Sequence, residues 1–160
     1  MEDTIDLVPR QRMTLVRSAK YDVYQARFSP NSQWVVFTAG SAAQSRLFIA
    51  AIRDGKAVSE TEWIAIGDRG GWSNKPRWSP DGRLIYFVSH RDGYYCLWAQ
   101  PIALGKEQPA EGPFNVAHFH KTHLSMMNVA EGPLEISVAQ DKIVFNLSEL
   151  TGNIWAGEIR

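Results

Sequence analysis

Arg77-Trp78-Ser79-Pro80-Asp81-Gly82-Arg83-Leu84-Ile85-Tyr86-Phe87 decides the fold, because Arg27-Phe28-Ser29-Pro30-Asn31-Ser32-Gln33-Trp34-Val35-Val36-Phe37 aligns with it without gaps fifty residues earlier. Each block runs Arg, aromatic, Ser-Pro, a turn, then an apolar run closed by Phe. Similarity at a fixed period of tens of residues marks a repeat architecture. In the later block Pro80 fixes φ, Asp81 bonds locally and Gly82 accepts the left-handed geometry of a tight hairpin. Ser32 stands where Gly82 stands, which predicts the same turn held through Asn31 with slightly more strain. His90-Arg91-Asp92-Gly93 predicts a second hairpin turn after Val88.

Outward from these blocks the order of parts is kept. Ser45 to Ile52 follows the first block and Tyr95 to Ile102 the second, and Glu62 to Ile66 supplies a fourth strand before the Gly-rich stretch 67–71. A third, degenerate copy, Glu135 to Phe145 followed by Asn153 to Ile159, keeps the apolar skeleton and loses the Ser-Pro turn. Runs of β-branched and aromatic residues bounded by Pro, Gly, Asp, Asn and Ser read as strands, and no stretch has sustained helical periodicity. Four antiparallel strands in about 40–50 residues is the period of a β-propeller blade. A sandwich would not return one turn motif at a fixed place. The expected fold is all-β, about three four-stranded blades, with 1–16 closing a preceding blade, 17–67 and 68–120 a blade each, and 121–160 a last blade lacking its outer strand.

Composition bounds the function classes. The 160 residues carry 17 Lys+Arg and 17 Asp+Glu, which argues against a nucleic-acid-binding surface. Apolar runs stay far below the ~20 residues of a membrane helix, and the acidic start MEDTIDLVPR lacks the basic and apolar regions of a signal peptide, leaving the compartment open. Cys96 is alone, so an internal disulfide and a Cys-rich zinc site are excluded.

The two Ser-Pro blocks resemble the WD-like (PD40-type) repeat of TolB-type β-propellers, from about Met13 to the end of the chain. They are similar to the C-terminal blades of large bacterial proteins in which such repeats follow a kinase or winged-helix domain. The resemblance implies a fold that serves as a partner-binding scaffold, a peptidase gate or a sensor, and fold analogy does not choose among these. Closed propellers hold about four to eight blades, and three make half a ring. Thr4 to Val8, a turn at Pro9 to Gln11, and Met13 to Val16 read as strands of a preceding blade. The chain is therefore expected either to be part of a longer propeller or to pair as a homodimer closing a six-bladed ring.

Candidate chemistry is sparse. His118, His120 and His123 are the only metal-like spacing: on a strand the first two share a face and the third returns from the next turn, but the nearest carboxylates in sequence are Glu111 and Glu131. No nucleophile elbow, phosphate loop, dinucleotide fingerprint or His-Glu-x-x-His is present. Asp6, Asp22, Asp81 and Asp92 read as turn residues, and Asn146-Leu147-Ser148 is a bare glycosylation sequon. The segments leading into the innermost strands carry Tyr21, Asp22, Tyr24, Arg27, Trp72, Asn74, Lys75 and Arg77, which in a propeller gather around the channel as a binding face rich in aromatic and Arg side chains. The competing expectation is that Trp72 packs between blades and that Arg27 and Arg77 bond carbonyls. Trp34, Trp78, Trp98 and Trp155 are expected in the core. These readings predict a non-catalytic module for protein interaction or ligand sensing, without cofactor. The alternative is the propeller domain of an enzyme, a peptidase gate or kinase sensor, whose catalytic domain lies elsewhere.

Overall fold

Pleated runs one face of which is apolar fold here into sheets. A computed structural model describes residues 13–41, 44–67, 71–106, 108–120, 123–127, 129–130 and 132–149. The first sheet holds β1 (Asp22–Phe28), β2 (Trp34–Ser41), β3 (Gln44–Arg53), β4 (Lys56–Ala57) and β5 (Ile64–Ile66). The second holds β6 (Ser73–Trp78), β7 (Leu84–Ser89), β8 (Cys96–Ala103), β9 (Gln108–Pro109) and β10 (Phe114–Ala117). In each the first three strands form an antiparallel meander, and two further strands pair with the third.

The first three strands of the second sheet repeat those of the first to the residue, and the strands beyond them follow less closely. Arg27 pairs Val36 and Arg77 pairs Tyr86. Phe37 pairs Phe48 and Phe87 pairs Trp98, while Phe48 pairs Ala65 and Trp98 pairs Asn115. The turns repeat as well. Ser29 N–H donates to Trp34 O at 2.8 Å and Ser79 N–H to Leu84 O at 2.8 Å. Ser29 Oγ donates to Asn31 Oδ1 at 2.7 Å, and Ser79 Oγ to Asp81 Oδ1 at 2.6 Å. Gly82 sits at φ 71° and Ser32 at φ 59°, so the serine adopts the left-handed backbone that the sequence reading expects of it.

Successive residues of a strand face opposite ways, and this builds the core in layers. Val36, Leu47, Ile49 and Ile66 of the first sheet meet Trp78, Ile85, Phe87 and Trp98 of the second. Val35 and Phe37 turn to the other side, where Leu15, Val16, Tyr21 and Trp63 cover them. On its far side the second sheet offers Val88 and Leu97 to Met126, Leu134 and Ile136. Full burial of side chains such as Ile85 and Phe87 stabilises by about 1.5–3 kcal/mol each.

The third copy is described only up to residue 149. β12 (Ile136–Val138) pairs β13 (Ile143–Phe145), and β11 (Leu124–Ser125) pairs β14 (Ser148–Glu149), two separate two-stranded pieces among the described residues of the expected last blade. Without a Ser-Pro turn, Ala139 N–H closes on Lys142 O at 2.8 Å and the hairpin is cut short. β12 still packs against β6, as β6 packs against β1, β2 and β3.

Met13 to Val16 is not a strand: Leu15 O accepts one hydrogen bond from Ala57 N–H at 2.9 Å beside β4. The fourth strand expected from Glu62 starts at Ile64, after a 3-10 turn at Glu60–Glu62. Thr4 to Val8, Pro9 to Gln11, Asn153 to Ile159 and Trp155 lie outside the described residues. Among the described residues no helix is long and apolar enough to cross a membrane.

Candidate functional site

The residues leading into β1 and β6 divide between three places. Tyr21 joins the outer core of the first sheet, its ring 6.2 Å from that of Phe48, with Asp22 exposed and Tyr24 half-buried after it in β1. Asn74 and Lys75 are buried where the two sheets meet. Both β1 and β6 bulge here, between Tyr24 and Arg27 and between Asn74 and Arg77, with Gln25 and Lys75 each at φ 57°. The bulge also absorbs Pro76, which has no N–H to give to a ladder. Lys75 N–H donates to Gln25 Oε1 at 2.8 Å and to Asn74 Oδ1 at 2.9 Å, and Thr38 Oγ1 lies 3.3 Å from each of these two oxygens.

Beyond the bulge the cations converge on one carboxylate. Lys75 Nζ lies 3.4 Å from Glu135 Oε1, and the Arg77 guanidinium pairs with Glu135 Oε2. Burial holds the Arg77 pKa below its ordinary value, the neighbouring Arg27 adds to this, and Glu135 opposes both. Arg27 and Arg77 each donate to the carbonyl of the preceding residue, Ala26 O at 2.9 Å and Pro76 O at 2.8 Å. These are carbonyl bonds of the kind the structural expectation allows, and Arg77 has its acid partner in addition.

Trp72 goes to the third place, the end of the second sheet. Its ring stacks on Tyr95 at 4.7 Å, and its carbonyl accepts from His90 N–H at 3.0 Å. Register carries the neighbourhood onward: Ser73 pairs Ser89, Ser89 pairs Cys96, and Leu97 pairs Ala117, so His118 and His120 emerge beside Cys96. Phe119 between them turns into the core.

Here the structure supplies what the sequence spacing lacks. Asp92 Oδ2 lies 3.2 Å from His118 Nδ1 and 2.9 Å from His120 Nε2, and the two ring nitrogens are 3.1 Å apart. One ligand atom from each of Asp92, Cys96, His118 and His120 lies within 4.8 Å of the others. His123 takes no part; it faces Glu149 Oε1 at 3.2 Å. The expected third imidazole is thus replaced by a carboxylate from the His90–Gly93 turn and a thiol from the start of β8. Burial pushes the Cys96 thiol up, the Phe119 backbone N–H opposes this, and the Asp92 charge pushes it further up. Tyr94 stacks on His120 at 4.3 Å and Trp98 meets His118 edge-on at 5.7 Å, fixing both rings.

A groove of about 720 Å³ opens at the other end of the sheet, between the Ser79–Leu84 turn and the β12–β13 hairpin, with Tyr86, Val138 and Ile143 in its wall. The corresponding gap between the first two turns holds only about 70 Å³, because Trp78 lies there with its Nε1–H on Arg27 O at 3.3 Å. Val138 occupies the place of Trp78 in the third copy. A smaller side chain leaves the space.

Compared with protein-family models and with curated proteins, the chain matches none.

Proposed function

We propose that the chain is a non-catalytic β-propeller module, with blades of the TolB-like type, that binds a protein partner or small ligand. The observation that supports this best is the second sheet's repetition of the first in strand order, register, bulge and turn bonding, fifty residues on. Layered sheets repeated in this way are how a propeller grows around its axis. The binding end is the one that gathers Trp72, His90, Tyr94 and Tyr95, of which Tyr94 is 44% exposed. Aromatic side chains held rigid by stacking are efficient anchors. Two copies of the chain closing a six-bladed ring remain part of this reading.

The test is a peptide and metabolite screen against the wild type and a Trp72→Ala/Tyr94→Ala double variant matched for fold by circular dichroism. Ligands lost in the variant support the reading, and ligands bound equally by both place binding elsewhere. Turnover of any ligand by the chain alone overturns the non-catalytic assignment. Light scattering at twice 18.0 kDa supports the ring.

A further inference from the structure

We propose that Asp92, Cys96, His118 and His120 bind one zinc ion, in a closed tetrahedral site that clamps the outer strand of the second sheet. The inference is independent of what the propeller binds.

Three observations carry it. First, the donor set is one carboxylate, one thiol and two imidazoles, the ligand types zinc takes, and four protein donors make a structural site with no open position. Second, the spacing is right. Around zinc, donors about 2.0–2.3 Å from the metal lie about 3.3–3.7 Å from one another. The oxygen and nitrogens are 2.9–3.2 Å apart and the whole set lies within 4.8 Å. Seating the ion parts the imidazoles by a few tenths of an ångström and draws the sulfur in by at most about 1 Å. Third, Asp92 Oδ2 is buried and receives no hydrogen bond of acceptable geometry from any described residue, although two ring nitrogens face it. With each imidazole in the tautomer that carries its proton on the far ring nitrogen, three lone-pair atoms face one another, one of them shielded from water, and a cation between them holds all three.

The local architecture presents these atoms. Asp92 Oδ1 accepts from Tyr94 N–H at 3.3 Å, closing the turn and leaving Oδ2 to face the histidines. The stacked and edge-on aromatic rings hold His120 and His118 in place. Cys96 gives up its proton on binding, and its thiolate completes the set. The ion ties the β7–β8 turn to the chain leaving β10, a four-residue strand whose pairing is irregular between Asn115 and Ala117. That is where a cross-link helps most.

The test uses the full chain. Protein stripped with a chelator and reloaded takes up one zinc per chain by elemental analysis and gains in melting temperature. Cobalt(II) put in place of zinc gives tetrahedral visible bands with a thiolate charge-transfer band in the near ultraviolet, and Cys96→Ser removes the latter. His118→Gln and His120→Gln each weaken cobalt binding beyond the ~10–100-fold that loss of an outer partner costs. His123→Gln leaves it unchanged. All three histidines are partly exposed, so these variants decide the matter even where Cys96→Ser does not fold. Absence of stoichiometric zinc, binding that survives both His118→Gln and His120→Gln, or binding lost in His123→Gln overturns the proposal.

Discussion

The backbone N–H of Lys75 donates to the side-chain oxygen Oε1 of Gln25 at 2.8 Å, and the two residues hold the same position in consecutive sheets, both with a left-handed backbone. The bulge of one sheet is thereby fastened to the bulge of the next. Gln25→Asn keeps a residue that tolerates positive φ but is one methylene too short to reach. The variant is expected to lose about 1–2 kcal/mol, the cost of a buried donor deprived of its better acceptor, seen as a lower urea midpoint at unchanged slope.

Asp81 gives the second turn a pH dependence that the first turn lacks. The Ser79 hydroxyl and then the Arg83 N–H hold its carboxyl below the ordinary carboxylate value. A depressed folded pKa stabilises above the unfolded value, and that contribution is lost as pH falls through the folded one. Asn31 makes the same bonds in the first turn without titrating. Asp81→Asn is expected to remove part of the wild type's loss of stability between about pH 5 and about pH 2, read from urea midpoints across that range.

Ser32 and Gly82 carry the same positive φ with different side chains. Ser32→Gly relieves a left-handed non-glycine residue but adds chain entropy, for a net gain of about 0.5 kcal/mol. Gly82→Ala costs about 1 kcal/mol from backbone strain, since its added Cβ meets only ordinary contacts with Leu104 and Pro30. Chemical denaturation of both variants tests the pair; two losses would disprove the account of Ser32.

Trp78 fills the gap that Val138 leaves open in the next layer. Trp78→Val is expected to cost about 2–4 kcal/mol as a cavity forms between the first two sheets. Val138→Trp puts an indole into the open groove, and the emission it adds to that of the six native tryptophans, read as the variant-minus-wild-type difference spectrum, is expected to be blue-shifted with stability held or raised. A solvent-exposed emission spectrum would show that the groove does not accept it.

The turns were legible from single residues: Ser29 and Ser79, Asn31 and Asp81 are spaced for the bonds they make, and a gapless repeat needs no three-dimensional information. The bulges were not legible, since Gln25 and Lys75 share neither side-chain chemistry nor glycine's freedom, and only Pro76 hints that a ladder is interrupted. The histidine site was half legible. His118 and His120 announce themselves by alternation, but Asp92 reads as a turn residue and Cys96 as an isolated thiol until β8 pairs with β10. His123, close in sequence, faces Glu149 instead, beside the pairing of Leu124 with Glu149. In the third copy the lost Ser-Pro turn was visible in the sequence, while the shorter closure of Ala139 on Lys142 between β12 and β13 was not.

Among the described residues the main contacts run from each layer to its neighbour: β6 on the strands of the first sheet, β12 on β6. Stability in such a stack is a sum of local terms, so it need not be uniform along the chain. Amide hydrogen exchange should be slowest in β7 and β8, flanked on both sides, and fastest in the three-residue strands β12 and β13. The molecule would then open from its third layer inward, releasing Glu135 from Lys75 and Arg77 while the first two sheets stay locked.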